Sequence, residues 1–150
     1  VDDYELMVAF LSLIEKHKLV AEGSGILPLA ATKKLEKMGI KGKKVVCVVS
    51  GGNIDVLAIS SMINKGLIDR GRIFSFAVDL QDSPGRLTRV TNIISELGAN
   101  IINVEHNRYK NLAKFKEVEL IVVVETNGLE HVEKITKKLA EEGYRVRNYL

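Results

Sequence analysis

The stretch FSFAVDLQDSPGRLTRVTNIISEL, residues 74–97, decides the fold. Phe74, Phe76, Val78 and Leu80 alternate with Ser75, Ala77 and Asp79, the period of a half-buried β-strand. Asp82-Ser83-Pro84-Gly85 is a compact turn signal. Leu87, Val90, Ile94 and Leu97 then recur at helical spacing. A strand therefore feeds a helix through a short loop. The first N–H groups of such a helix lack partners and sit at the positive end of its dipole, so they attract anions. The plainer alternative is that Pro84-Gly85 only turns the chain.

Downstream, residues 100–108 read as a second strand, with Ile102 and Val104 opposing Ile101, Asn103 and Glu105. Residues 109–116 form a polar loop, and residues 118–125 a strongly β-branched strand. Asn127-Gly128 leads into a helix carrying Leu129, Val132, Ile135 and Leu139, which Gly143 ends. Residues 144–149 make a last strand. The order βαββαβ predicts an α+β ferredoxin-like module of four antiparallel strands with two helices on one face. Ile73, Ile121 and Val123 fall on the opposite sheet face, enough apolar surface to favour pairing of two modules by stacking or edge joining.

Upstream, Leu6, Phe10, Leu13, Ile14 and His17 mark one face of a helix that Glu22-Gly23-Ser24-Gly25 breaks. Ile26, Leu29, Ala30 and Leu35 mark a second helix, closed by Gly39. Residues 44–49 read as a continuous apolar strand of the kind buried on both faces of a parallel sheet. Ser50-Gly51-Gly52-Asn53 ends it. Asp55 caps a third helix through Ile59, Met62 and Ile63, with Gly66 as its stop. Residues 65–72 are the natural boundary. A doubly buried strand needs neighbours on both edges, and residues 1–72 offer none. The expectation is an α/β remnant, residues 1–72, of a larger domain, followed by the ferredoxin-like module, residues 73–150. A first residue other than Met agrees with this.

Composition narrows the function. The chain has 150 residues, 46% hydrophobic and 27% charged, with net charge +3 and no long basic run. Nucleic acid is therefore not a called-for partner. The middle strands of the module present Ala77, Asp79, Ile121 and Val123 rather than base-stacking aromatics, which also argues against RNA. No apolar run approaches a membrane span, and no signal peptide is visible. The single cysteine, Cys47, cannot make an internal disulfide and reads as a buried inert thiol, which points to a reducing, cytoplasmic setting. His17, His106 and His131 show no metal-ligand spacing, so no metal is expected and all three read as solvated or satisfied histidines.

Strand order, Asp82-Ser83-Pro84-Gly85-Arg86-Leu87, and Leu97-Gly98-Ala99-Asn100-Ile101 together resemble the ACT domain, a small-molecule-sensing regulatory module, over residues 73–150. The resemblance implies an amino-acid effector bound between subunits, at the loop matched by Asp82, Pro84 and Gly85 and at the matching Asn100. Gly85 and the helix start can donate N–H groups to the carboxylate, and Asp82 or the Asn100 side-chain carbonyl can accept from the ammonium. An apolar effector side chain lies against Leu87 or a partner subunit, which suits isoleucine or another branched-chain amino acid. The expected assembly is at least a dimer.

Three upstream pieces occur in order: Val1-Asp2-Asp3, Leu19-Val20-Ala21-Glu22-Gly23-Ser24-Gly25, and Val48-Val49-Ser50-Gly51-Gly52-Asn53-Ile54-Asp55. They resemble the end of the fold type II pyridoxal-phosphate dehydratases, specifically the threonine dehydratase (threonine ammonia-lyase) family. The resemblance implies that Ser50 hydrogen-bonds the pyridine nitrogen of pyridoxal phosphate, with Gly51 and Gly52 in the same loop and Glu22 near the active site. A hydroxyl suits a neutral pyridine nitrogen, whereas a carboxylate would hold a pyridinium. The ring is then a weaker electron sink, suited to β-elimination of water rather than transamination. Taken alone, Ser50 would read as a turn hydroxyl capping a helix. The family's Schiff-base lysine and phosphate loop lie upstream and have no match here. The intact protein is thus expected to convert threonine to 2-oxobutanoate and ammonia, a step toward isoleucine, and this chain alone to be inactive. The competing expectation is a stand-alone amino-acid-sensing or interaction module without chemistry.

Overall fold

The computed structural model describes residues 1–107 and 117–149, which fall into two compact units, Val1–Gly66 and Leu67–Leu150.

The first unit begins with α1, Asp3–Ser12, closed at its start by a capping box. The Glu5 N–H donates to Asp2 Oδ1 at 2.8 Å, and the Asp2 N–H donates to Glu5 Oε2 at 3.0 Å. A π-helical turn over Leu13–His17 follows and ends at Lys18, whose φ of 58° is left-handed. Then come α2, Gly23–Lys37, and α3, Val56–Asp69. Phe10, Leu13, Ala21 and Ile26 are buried together, with Leu6, Leu29, Ile59 and Met62 packed around them.

Four expectations for this unit need correction. Glu22-Gly23-Ser24-Gly25 is not a break: Glu22 is the N-cap of α2, and both glycines lie in its first turn. Gly66 does not stop α3. It is buried inside the helix, where a Cβ would lie 1.9 Å from Leu11 Cδ1, so it serves packing. Residues 44–49 form no strand: Val46 is 89% exposed and Val48 72%. A β-branched run becomes a strand only if a ladder accepts its N–H and C=O groups, and the described residues of this unit supply none. Consequently Cys47 is half-buried rather than buried.

In the second unit the element order is β1 (Ile73–Gln81), α4 (Arg86–Glu96), β2 (Asn100–Asn107), β3 (Glu117–Glu125), α5 (Leu129–Glu141) and β4 (Val146–Asn148). The four-stranded sheet runs β2-β3-β1-β4 with antiparallel neighbours, an architecture compatible with a ferredoxin-like module. The expected loop 109–116 lies outside the described residues. One sheet face buries Phe76, Val78, Leu120 and Val122 against Val90 and Ile94 of α4 and Ile135 and Leu139 of α5. The two helices are also braced at the surface, where Arg89 meets Glu142 at 2.7 Å and Lys138 meets it at 3.3 Å. The hydrogen bond from Arg89, and then that from Lys138, holds the Glu142 carboxyl below its ordinary range.

Two details of the sheet depart from the alternating pattern. The register shifts between Ile101 and Asn103 against β3. This bulge turns Ile101 and Val104 together toward the core and leaves Ile102 54% exposed, so Ile102 does not share a face with Val104. The far face is not an open apolar surface either: Ile121 is only 3% exposed, and Ile73 and Val123 are half-buried. Asp79 and Glu119 stand opposite each other on that face, and Arg147 bridges them at 2.7 and 3.1 Å. Without the guanidinium the two like charges would repel directly across the strands.

Candidate functional site

The corner between β1 and α4 is built by local chain chemistry. Past Gln81 the Ser83 N–H donates back to the Gln81 carbonyl at 2.8 Å, and the Arg89 N–H donates to the Gly85 carbonyl at 3.0 Å. Gly85 is the N-cap, with φ 87°. Nothing lies within 4 Å of where its Cβ would be, so backbone conformation rather than space requires glycine there. The corner opens into a cleft of about 450 Å³.

Three ionisable side chains line this cleft: Asp82 on the turn, Arg86 at the first position of α4, and His106 near the end of β2. The Arg86 guanidinium is steered by Gln81, donating to its Oε1 at 3.4 Å. Leu80, Leu87 and Val118 supply apolar wall. An anion can meet the helix start and Arg86, a cation can meet Asp82, and a hydrocarbon chain can meet the leucines. Asp82, Pro84, Gly85 and Leu87 are thus brought together as lining residues. Arg86 and His106 join them, neither being among the expected effector-binding residues. His106 reaches the cleft because β2 lies beside β3, where it pairs with Leu120. That proximity is invisible in the local sequence.

Asn100 is elsewhere. It pairs with Glu125, whereas Gln81, at the cleft, pairs with Glu117. Eight residue steps of a strand separate these ends by about 26 Å. Asn100 and the cleft residues of one chain therefore do not converge on one ligand.

The upstream residues do converge. The Glu22 N–H donates to the Gly51 carbonyl at 3.2 Å, and the Ser24 hydroxyl donates to Glu22 Oε1 at 2.6 Å. Gly25 lets the Ser50 carbonyl approach to where its own Cβ would be, 1.5 Å away. Gly51 has φ 72°, and a Cβ there would lie 2.5 Å from Glu22 Oε1. The Ile54 N–H donates to the Gly52 carbonyl at 3.0 Å, which tightens the turn. Glu22, Ser50, Gly51 and Gly52 thus form one glycine-pinned loop against the start of α2, with Ser50 exposed. A larger hollow of about 690 Å³ between the end of α2 and Val45 contains none of these residues.

Residues 72–141 match the model of the ACT domain family. The second unit carries an ACT domain. Over 98% of its length the chain is 42% identical to the L-threonine ammonia-lyase of Thermotoga maritima, and it spans 36% of that protein. The L-threonine ammonia-lyase of Geobacter sulfurreducens is 38% identical over 97% of the chain, again 36% of the relative. The L-threonine dehydratase biosynthetic IlvA of Mycobacterium leprae is 36% identical over 67% of the chain. The chain therefore spans about a third of the length of the first two relatives and corresponds to their ACT-bearing, C-terminal regulatory part. Among the described residues of the ACT domain and the unit before it, no helix is long and apolar enough to cross a membrane.

Proposed function

We propose that the chain is the regulatory end of a cytoplasmic, pyridoxal-phosphate-dependent threonine ammonia-lyase, with residues 73–150 sensing a free amino acid and residues 1–72 completing the catalytic domain. The observation that carries the sensing role is the cleft, where Asp82, Arg86 and the start of α4 surround a space walled by Leu80, Leu87 and Val118. That set matches an ammonium, a carboxylate and an apolar side chain, the parts of a branched-chain amino acid such as isoleucine. Micromolar to millimolar affinity, roughly −4 to −8 kcal/mol, is the expected scale.

Asn100 enters this site only from a second copy. The edge strand β2 leaves one row of N–H and C=O groups unpaired within the sheet. Two copies joined antiparallel along β2 would set the Asn100 end of one beside the Asp82 end of the other. The assembly is accordingly at least a dimer through the ACT domain. Sheet stacking is disfavoured, because the far face presents the ion-paired Arg147 and already buries Ile121.

The upstream loop fits one edge of pyridoxal phosphate: Ser50 is exposed on a turn whose position Gly25 and Glu22 fix. Ser50 would donate to the ring nitrogen, with Gly51 and Gly52 letting the backbone close round it and Glu22 held nearby by Ser24. The cofactor supplies the electron sink for eliminating water from threonine. The lysine that would carry it is expected in the part of the relatives that this chain does not span. The uncovered residues 44–49 favour this over a stand-alone module, since the described residues give them no sheet partner.

Isothermal titration of the chain with isoleucine, valine, threonine and serine tests the reading. Binding of a branched-chain amino acid, weakened by Asp82→Ala and by Asn100→Ala, is expected. No binding at millimolar concentration, or binding indifferent to both substitutions, would overturn it. In the intact enzyme Ser50→Ala should retain the fold and weaken cofactor binding by about 1 kcal/mol.

A further inference from the structure

The sheet end remote from the cleft, where Asn100 lies, is tied together by side-chain hydrogen bonds. Thr126 follows β3 and is 3% exposed. Its N–H donates to the Arg72 carbonyl at 2.9 Å, and its hydroxyl donates to the Gly71 carbonyl. Gly71 has φ 63°, and a Cβ there would lie 2.8 Å from the Leu129 nitrogen, so glycine alone fits. The Gly71 N–H donates to the Ile68 carbonyl at 2.8 Å and the Arg72 N–H to the Leu67 carbonyl at 2.7 Å. The last turn of α3 therefore runs straight into this clasp with no slack between them.

Contacts continue on the other side of Thr126. The next residue, Asn127, donates its N–H to His131 Nδ1 at 3.1 Å. Nδ1 is then the acceptor of a neutral ring, so the proton sits on Nε2, which donates to the Leu97 carbonyl at 2.9 Å. Leu97 caps the end of α4, three residues before Asn100. We propose that this path, from Leu97 through His131, Asn127 and Thr126 to Gly71, carries occupancy at Asn100 to α3, with Thr126 and His131 as its positioning residues.

The inference rests on the effector reading above, and it adds the route of the response. The route requires two arrangements of the clasp. Closed, the Thr126 hydroxyl satisfies the Gly71 carbonyl and anchors the last turn of α3; open, that turn is free to fray. A ligand that orders the turn leading into Asn100 favours the closed arrangement, and by linkage the closed clasp favours the ligand. α3 matters because it is the helix that passes from one compact unit into the other, its residues 56–66 lying in the first and 67–69 in the second. A clasp between two packed turns is the discrete element that coupling needs, in place of simple proximity.

Amide exchange of residues 67–72 in the full chain, with and without isoleucine, is the test. Thr126→Val keeps the volume and removes the donor. It should speed exchange of the Gly71 and Arg72 amides at least tenfold while β1 and β3 amides keep their protection, and Thr126→Ser should restore slow exchange. His131→Leu, whose lost ring hydrogen bonds go to Asn127 and Leu97 rather than to Gly71 or Arg72, should also speed those amides at least threefold. The double variant should fall short of the product of the two effects. Isoleucine should slow residues 67–72 in the natural chain; Thr126→Val should bind it more weakly, as the linkage requires, and at saturation it should leave those residues unslowed. Unchanged exchange at 67–72 in His131→Leu would overturn the route, as would slowing by isoleucine that survives Thr126→Val. If isoleucine fails to bind the natural chain, the effector reading falls by itself. The route then stands or falls on His131→Leu.

Discussion

Val45-Val46-Cys47-Val48-Val49 and Leu120-Ile121-Val122-Val123-Val124 are close to interchangeable as sequences. One forms no ladder and exposes most of its valines; the other is an inner strand between β2 and β1, with Leu120, Val122 and Val124 fully buried. The difference lies outside both runs. β3 finds Phe76, Val78 and Val104 across its ladders, and two helices cover one of its faces. Residues 44–49 find no ladder within Val1–Gly66. Intrinsic β-preference amounts to a fit to a pleated, half-buried surface, and it has no effect where that surface is missing.

The comparison can be broken at several strengths. Leu120→Ala opens a cavity in the ACT core and should cost about 2–5 kcal/mol, read as a lower midpoint in urea unfolding followed on second-unit amides. A loss below that range would mean that β3 is less central than its burial implies. Next is Gly25→Ala, which forces a methyl onto the Ser50 carbonyl. Displacing that backbone should cost the first unit about 1–3 kcal/mol and loosen residues 50–54 in amide exchange. Gly85→Ala places a Cβ on a left-handed residue in open space, so only conformational strain of about 1–2 kcal/mol is expected.

A smaller effect separates the surface brace from the core. The Glu142 carboxyl is held below its ordinary value by Arg89 and Lys138. The stabilisation it gives is complete above the ordinary value of 4.5 and is lost as pH falls through the lowered one. The melting-temperature gap between the natural chain and Glu142→Gln should therefore close on acidification. A gap that persisted in acid would assign Glu142 a packing role instead. Smallest of all is Val46→Thr, within about 0.5 kcal/mol, because that side chain is already in water. A clear destabilisation would show that residues 44–49 have partners in solution.

The ACT half was legible because its strands pair with one another inside the chain, so period, turn chemistry and topology agree. The bulge at Ile101 and Ile102 was not, since an inserted residue leaves strict alternation intact on the page while shifting every side chain after it. Gly66 is not legible as a packing residue, because helix stops and helix–helix contact sites use the same residue. Among the site residues, Asp82 to Leu87 could be found from one loop. His106 could not, because the neighbours that make it part of a cleft arrive from a strand and a turn more than twenty residues earlier. Asn100 posed the reverse problem. Its motif was visible, but only strand direction shows that it faces the wrong end of its own sheet.

The one thiol in the chain sits inside the uncovered run, half-buried at Cys47. That makes it a single-site reporter with no background from other cysteines. A maleimide or an aromatic disulfide reagent should label it at the rate set by the local exposure of residues 44–49. Whatever polypeptide supplies the missing ladder would slow that rate, and the time course of protection would record when the run acquires its neighbours. Stored without reductant, the same thiol could link two chains covalently, so a dimer seen on a non-reducing gel is no measure of the proposed assembly through the ACT domain.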